Sequence, residues 1–187
     1  MNVEGSKNAL VLFSGGLDST TSLAIAKSEG YNITALTINY KQRHDYEIIA
    51  SKKILANYSD INHIIFDIDL TKIGGSALTD TNLEVPRKES DGIPITYVPA
   101  RNTIFLSIAA SYAEKLKIKD IYIGVNAIDY SGYPDCRPDF IASFEKMINL
   151  GTKSGSQGSL FKIITPLISK TKSEIIKIGT ELGVDYS

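Results

Sequence analysis

Apolar residues fall along this chain in short bursts separated by segments of helical period. NALVLF (Asn8–Phe13), NITALTI (Asn32–Ile38), HIIFDI (His63–Ile68), DIYIGV (Asp120–Val125) and FKIIT (Phe161–Thr165) predict five strands. Their near-continuous apolar character suits parallel strands covered on both faces. Between and after them the spacing predicts helices over Thr20–Ser28, Tyr46–Asn57, Thr103–Leu116, Pro138–Leu150 and Ser173–Leu182. In the third, Phe105, Ile108, Ala109, Tyr112, Ala113 and Leu116 make one apolar stripe. Pro138 stands at a first helical position, where a missing N–H costs nothing, and Gly183 follows the last helix as a C-terminal cap. Alternating β and α elements with short joins predict an α/β fold: a doubly wound, five-stranded parallel sheet with helices on both faces.

Two stretches break the rhythm. Thr71–Pro99 is interrupted by Gly and Pro without a clean period, and its length predicts a lid or binding loop. GTKSGSQGS (Gly151–Ser159) is rich in Gly and Ser and predicts a second mobile segment. There is no internal repeat and no second compositional regime, so residues 1–187 are expected to form a single domain.

Composition narrows the class. A hydrophobic share of 43% and a charged share of 22% are those of a soluble globular protein. No apolar run approaches the ~18 residues of a membrane span, and the N-terminus lacks the pattern of a signal peptide. The single cysteine, Cys136, leaves no intrachain disulfide, which fits a cytoplasmic location. A formal net charge of -1 argues against direct nucleic-acid binding over a broad basic face, and favours a small-molecule substrate.

The first strand runs into SGGLDST (Ser14–Thr20) and then into a helix. Ligands of open parallel sheets collect at such strand ends. Gly15 and Gly16 bring backbone amides close to a ligand, Ser14, Ser19 and Thr20 add hydroxyls, and the helix start offers unpaired N–H groups. These make a phosphate cradle. The lysine of a Walker loop and the spacing of the dinucleotide fingerprint are both missing. The string S-G-G-x-D-S instead resembles the pyrophosphate loop of ATP pyrophosphatases, which cleave ATP between its α and β phosphates.

Four further stretches lie at strand ends or helix starts: YKQRHDYE (Tyr40–Glu47), YVPARN (Tyr97–Asn102), DYSGYPDCR (Asp129–Arg137) and TPLISKTKSEI (Thr165–Ile175). Arg43 and His44 are either solvated charges or, beside a nucleotide, a phosphate or carboxylate partner and a proton donor. Arg101 at a helix start opposes the helix dipole, which points to an anionic partner. Asn102 reads equally as a helix cap. Gly132 and Pro134 make a turn, around which Asp129, Asp135 and Arg137 gather charge. Cys136 is either a nucleophile or a packed, inert thiol, and is not assigned catalysis. Lys172 is either a surface lysine or a phosphate contact.

Together with FSGGLDSTT these stretches closely resemble the 7-cyano-7-deazaguanine synthase family of queuosine biosynthesis, over nearly the whole chain. The resemblance implies an adenine nucleotide α-hydrolase-like fold and an ATP-dependent carbon–nitrogen ligase. In that family 7-carboxy-7-deazaguanine is activated by ATP, converted with ammonia to an amide, and dehydrated to the nitrile by further activation. It implies ATP contacts at Phe13, Ser14, Gly15, Gly16, Leu17, Asp18, Ser19, Thr20 and Lys172. Catalytic roles fall to Asp18, His44 and Arg101, with Asp18 either helping with Mg2+ or orienting the loop, and substrate contacts to Gln42, Arg43, Asp129, Asp135 and Arg137. A homodimer is the candidate assembly.

Three departures stand out. Lys41 and Ala100 occupy positions where the family usually has glycine. Family members also continue into a cysteine-rich zinc segment, whereas this chain stops at GVDYS and its one cysteine lies elsewhere. Four thiolate ligands cannot come from one copy, so Zn2+ is expected in the family but not on these residues. Competing readings are an amide-forming or tRNA-thiolating enzyme with the same loop, and a non-catalytic nucleotide-binding module.

Overall fold

The computed structural model describes residues 7–42, 46–80, 93–128 and 133–186. Strands β1 (Asn8–Leu12), β2 (Asn32–Asn39), β3 (Asn62–Asp67), β4 (Asp120–Ile123) and β5 (Lys162–Ile164) form one sheet in the order β3-β2-β1-β4-β5. Every pairing is parallel. This is the doubly wound architecture expected from the hydrophobic pattern, with an adenine nucleotide α-hydrolase-like topology.

The two-residue period of β1 sorts its side chains between two cores. Ala9, Val11 and Phe13 join Leu23 and Ala26 of α1 (Leu17–Ser28) and Leu55 of α2 (Tyr46–Leu55). Leu10 and Leu12 face the other way, toward Leu106, Ala109 and Ala113 of α3 (Arg101–Leu116) and Ile141, Phe144 and Ile148 of α4 (Pro138–Gly151). Each such Leu, Ile or Phe side chain taken fully out of water contributes about 1.5–3 kcal/mol.

Helix α1 has little amphipathic character in its sequence, LDSTTSLAIAKS, yet buries seven of its residues. Helix α6 (Lys172–Glu181) packs against it. The small Ser, Thr and Ala side chains allow that close approach. Tyr186 adds a tie: its hydroxyl lies 2.6 Å from Thr21 Oγ1, which also meets the Leu17 carbonyl at 2.8 Å.

Helix starts differ from the sequence expectation where the site lies. Helix α1 begins at Leu17 and α3 at Arg101, rather than at Thr20 and Thr103, so both phosphate-loop and YVPARN residues are helical. The segment Gly151–Ser159, expected to be mobile from its composition, instead holds a short helix α5 (Lys153–Ser156). Thr152 Oγ1 accepts from Gly155 N–H at 3.1 Å, and Glu114 Oε1 accepts from Ser154 N–H at 2.7 Å. Gly155 serves close packing: a Cβ there would fall 2.2 Å from the Asn149 carbonyl oxygen. The described ends of the predicted lid, 71–80 and 93–99, are pinned by Ala77 N–H donating to Ile95 O at 3.0 Å, with Ser76, Ala77 and Val98 buried. Its centre, 81–92, lies outside the described residues. Among the described residues no helix is long and apolar enough to cross a membrane.

Strand order reverses at β1, which pairs with β2 on one side and β4 on the other. The carboxyl ends of β1 and β4 therefore border the crevice where ligands of such sheets bind.

Candidate functional site

Immediately after β1 the chain folds back on itself through hydroxyl contacts. Ser14 N–H donates to Ser19 Oγ at 3.2 Å, Gly16 N–H donates to Ser14 Oγ at 3.3 Å, and Ser19 Oγ donates to Gly16 O at 3.0 Å. Gly15 has φ +80, and a Cβ there would sit 2.7 Å from Ser51 N of α2. Only glycine satisfies both the left-handed turn and the close approach. Gly16 is the N-cap of α1 and no side chain caps the helix, in contrast to α6, where Thr171 and Glu174 form a full capping box. The start of α1 thus presents amides and the positive end of its dipole to the crevice. Gly124, just past β4, touches this start backbone to backbone.

The loop borders a cavity of about 430 Å3. Its wall includes Ser14, Asp18 and Ser19, the apolar Leu36 and Ile38, and a cluster of Tyr40, Glu47, Arg101 and Phe105. The Tyr40 and Phe105 rings lie 5.4 Å apart, and the Arg101 guanidinium is 6.0 Å from each. Burial alone would lower the Arg101 pKa, but Tyr40, Glu47 and Asp135 more than offset it and the guanidinium stays firmly charged. The anionic neighbours demanded by a cation at a helix start are therefore partly supplied within the chain. The Glu47 pKa is also raised, but here burial is the cause and disfavours the charged form, against the pull of Arg101 and a hydrogen bond from Gln42.

Arg101 reaches this position because the chain turns sharply before it. Ala100, the N-cap of α3, has φ 54, and Lys41 has φ 57. These are the two positions where glycine was expected, and the left-handed conformation is retained despite the side chains, at about 1–2 kcal/mol each. Asp135 Oδ2 accepts from Asn102 N–H at 2.9 Å, so an aspartate from the short 3-10 turn Pro134–Cys136 caps α3 from outside. Asn102 is no cap itself; its Nδ2 donates to Asp135 O at 3.1 Å and to Cys136 Sγ at 3.3 Å. Burial, and then the charge of Asp135, push the Cys136 thiol up to about 11, so it remains protonated at neutral pH. Of the two readings of this cysteine, the packed thiol fits.

The structure brings Phe13, Ser14, Gly16, Leu17, Asp18, Ser19, Arg101 and Lys172 together on one cavity wall. Gly15 and Thr20 complete the loop without lining the cavity; Thr20 Oγ1 is buried with no hydrogen-bond partner among the described residues. Gln42 stands beside the cavity, its Oε1 accepting from the Tyr40 hydroxyl. Asp135 is buried under α3, and Arg137 is exposed at the start of α4, away from the cavity lining. Arg43, His44 and Asp129 lie outside the described residues.

Glu47 and Asn126 are among the lining residues not singled out from the sequence. Glu47 reads as a first-turn acid that suits the dipole of α2. Asn126 follows β4; its Nδ2 donates to the carbonyls of Leu167 and Lys170, its Oδ1 accepts from Ile128 N–H at 2.7 Å, and it thereby sets the approach to Lys172. A buried polar residue directly after a strand was the available signal. Among the described residues no group of three or more His, Cys, Asp or Glu could hold a metal ion.

Residues 8–187 match the family model for the queuosine biosynthesis protein QueC. The chain is 56% identical over 180 residues to a 7-cyano-7-deazaguanine synthase of Cellvibrio japonicus, covering 96% of this chain and 80% of the relative. It is 55% identical over 181 residues to the enzyme of that name from Saccharophagus degradans, covering 97% and 80%. Among solved structures, a 4-thiouridine synthetase in complex with RNA and bound ATP is similar in fold, with a TM-score of 0.59 and 22% identity over 95% of this chain and 41% of that one. With the match running from the first strand through the last helix, the chain belongs to the QueC family of queuosine biosynthesis proteins.

Proposed function

We propose that this protein is an ATP-dependent ligase that converts 7-carboxy-7-deazaguanine and ammonia to 7-cyano-7-deazaguanine. The observation that carries the reading is one cavity that joins a pyrophosphate-type loop to an aromatic compartment containing Arg101 and Glu47, in a chain of this family. A neighbour of like fold, the 4-thiouridine synthetase, has bound ATP.

Carboxylate oxygen is a poor leaving group. Attack of the acid on the α-phosphorus of ATP gives an acyl-adenylate and releases pyrophosphate; ammonia then displaces AMP and loses a proton to leave the amide. The amide oxygen attacks the α-phosphorus of a second ATP, releasing pyrophosphate and giving an imidoyl adenylate as the nitrogen loses one proton. Loss of AMP and the second nitrogen proton leaves the nitrile. The amides of Gly15 and Gly16, with Ser14 and Ser19, hold the departing pyrophosphate. Arg101 and Lys172, the cations on the described cavity wall, meet phosphate or the substrate carboxylate. Arg43 serves the same end from YKQRHDYE, with His44 handling a proton and Asp129 adding charge near the substrate. The apolar wall limits attack of water on the adenylate. Asp18 lines the cavity and is the carboxylate that would hold Mg2+, which would neutralise phosphate charge. One buried cysteine does not fit a zinc centre, and no step here depends on one. Ammonia and the acid are the partners of the reaction, with a cytoplasmic site of action and a homodimer as the assembly to test.

Chromatography of labelled ATP after incubation with the acid and ammonia tests the reaction class. AMP and pyrophosphate are expected; ADP as the sole nucleotide product would reject it. Ser14→Ala should weaken nucleotide binding, and Asp18→Asn should lower turnover more than ATP binding.

A further inference from the structure

Glu47 is a carboxylate that lines the cavity along with Tyr40, Phe105 and Arg101, and the Tyr40 and Phe105 rings lie against each other. Among the described residues it makes no ion pair within 4.0 Å; those pairs join Lys27, Lys41, Lys170 and Lys177 to other acids. The Arg101 charge acts on it from farther away. Its close polar partner is Gln42, whose orientation is fixed: Oε1 accepts from the Tyr40 hydroxyl, which turns the amide N–H2 toward Glu47. A carboxylate has about four acceptor sites, and Gln42 uses one. Glu47 lines the cavity together with the Tyr40, Phe105 and Tyr133 rings.

We propose that Glu47 reads the ring N–H and exocyclic amine of the 7-deazaguanine base, accepting one hydrogen bond from each. The inference rests on the function proposed above and names the residue that selects its substrate. The 2-aminopyrimidinone edge carries two adjacent donors, which match the two oxygens of a carboxylate as a guanidinium does. The corresponding edge of adenine carries one donor and one acceptor, and the acceptor repels a carboxylate. Glu47 therefore both attracts the acid and turns the adenine of ATP away from this compartment, using attraction and repulsion together. The neighbouring rings supply a stacking surface for the flat heterocycle.

The test uses 7-carboxy-7-deazaguanine and its 2-deamino counterpart, in which hydrogen replaces the exocyclic amine, with binding read by calorimetry. Wild type should bind the 2-amino acid about tenfold more tightly or better, the effect of one hydrogen bond to a charged group. Glu47→Gln should weaken the 2-amino acid roughly tenfold to a hundredfold, bring the two acids close to equal, and leave ATP affinity unchanged. Equal binding of the two acids by wild type would overturn the proposal, and this arm decides alone if the variant does not fold. A variant that keeps the preference, or loses ATP instead of acid, would also overturn it. Wild type that binds neither acid would overturn the proposed function itself, a result separable from the other three.

Discussion

Replacing Gly124 with alanine adds one carbon where the two halves of the site touch. The new Cβ would lie 2.8 Å from both the carbonyl carbon and oxygen of Asp18, and 2.9 Å from Ser19 N. All three are backbone atoms, so no side chain can swing aside. Ordinary contact begins at 3.4 Å, so the start of α1 must retreat by about 0.6 Å or β4 must bend away. Overpacking of this kind costs about 1–3 kcal/mol. The displaced segment carries the amides proposed to hold pyrophosphate, and a shift approaching 1 Å costs up to about a hundredfold in turnover. Urea denaturation should show the stability loss, and ATP-dependent pyrophosphate exchange a loss of roughly tenfold or more in rate. Gly151→Ala is the control, because a Cβ there meets nothing within 4 Å. If Gly124→Ala unfolds with wild type and exchanges pyrophosphate at the wild-type rate, the close contact between β4 and the loop has no bearing on the site.

Ala100→Gly should stabilise the fold by about 0.5–1 kcal/mol, since relief of left-handed strain exceeds the entropy of a freer unfolded chain; a fall in urea midpoint would refute this. Glu47→Gln should be more stable than wild type at about pH 8 and should lose that advantage by about pH 4. Burial raises the folded pKa of Glu47, so its cost is absent below the unfolded value of 4.5 and grows as pH rises through the folded one. Equal offsets in urea midpoint at the two pH values would rule this out. Cys136 should resist iodoacetamide in the native protein at about pH 8 and react freely once unfolded, because its thiol is buried and poorly ionised; fast native labelling would show an open thiol.

Much of the fold was legible because parallel strands covered on both faces must be apolar throughout, and five such runs are plain in the sequence. The tight, hydroxyl-rich turn after β1 was legible because its Gly and Ser residues serve the backbone locally. What escaped depends on contacts between distant elements. Glu47 looks like an acid near a helix start and Asp135 like a charge on a turn; the first lines the cavity and the second caps α3 across 33 positions of sequence. The glycine departures were visible, but only the structure shows that Lys41 and Ala100 keep the left-handed backbone. The GTKSGSQGS segment misled because small residues that permit flexibility also permit the tight crossing at Asn149.

The pairing of β1 with β4 has a consequence for how the protein is made. Leu10 must find Ile121, about 110 residues later. The loop that is proposed to hold nucleotide leaves the ribosome early, but Gly124, Asn126 and the strand behind them follow only after roughly 5–20 s of synthesis. Until then the nascent chain has one wall of a site and an unpaired edge on β1. Under the proposed function, nucleotide can report on folding only after β4 has arrived, so the ATP of that proposal cannot template the first half of this chain; it can only reward completion of the second.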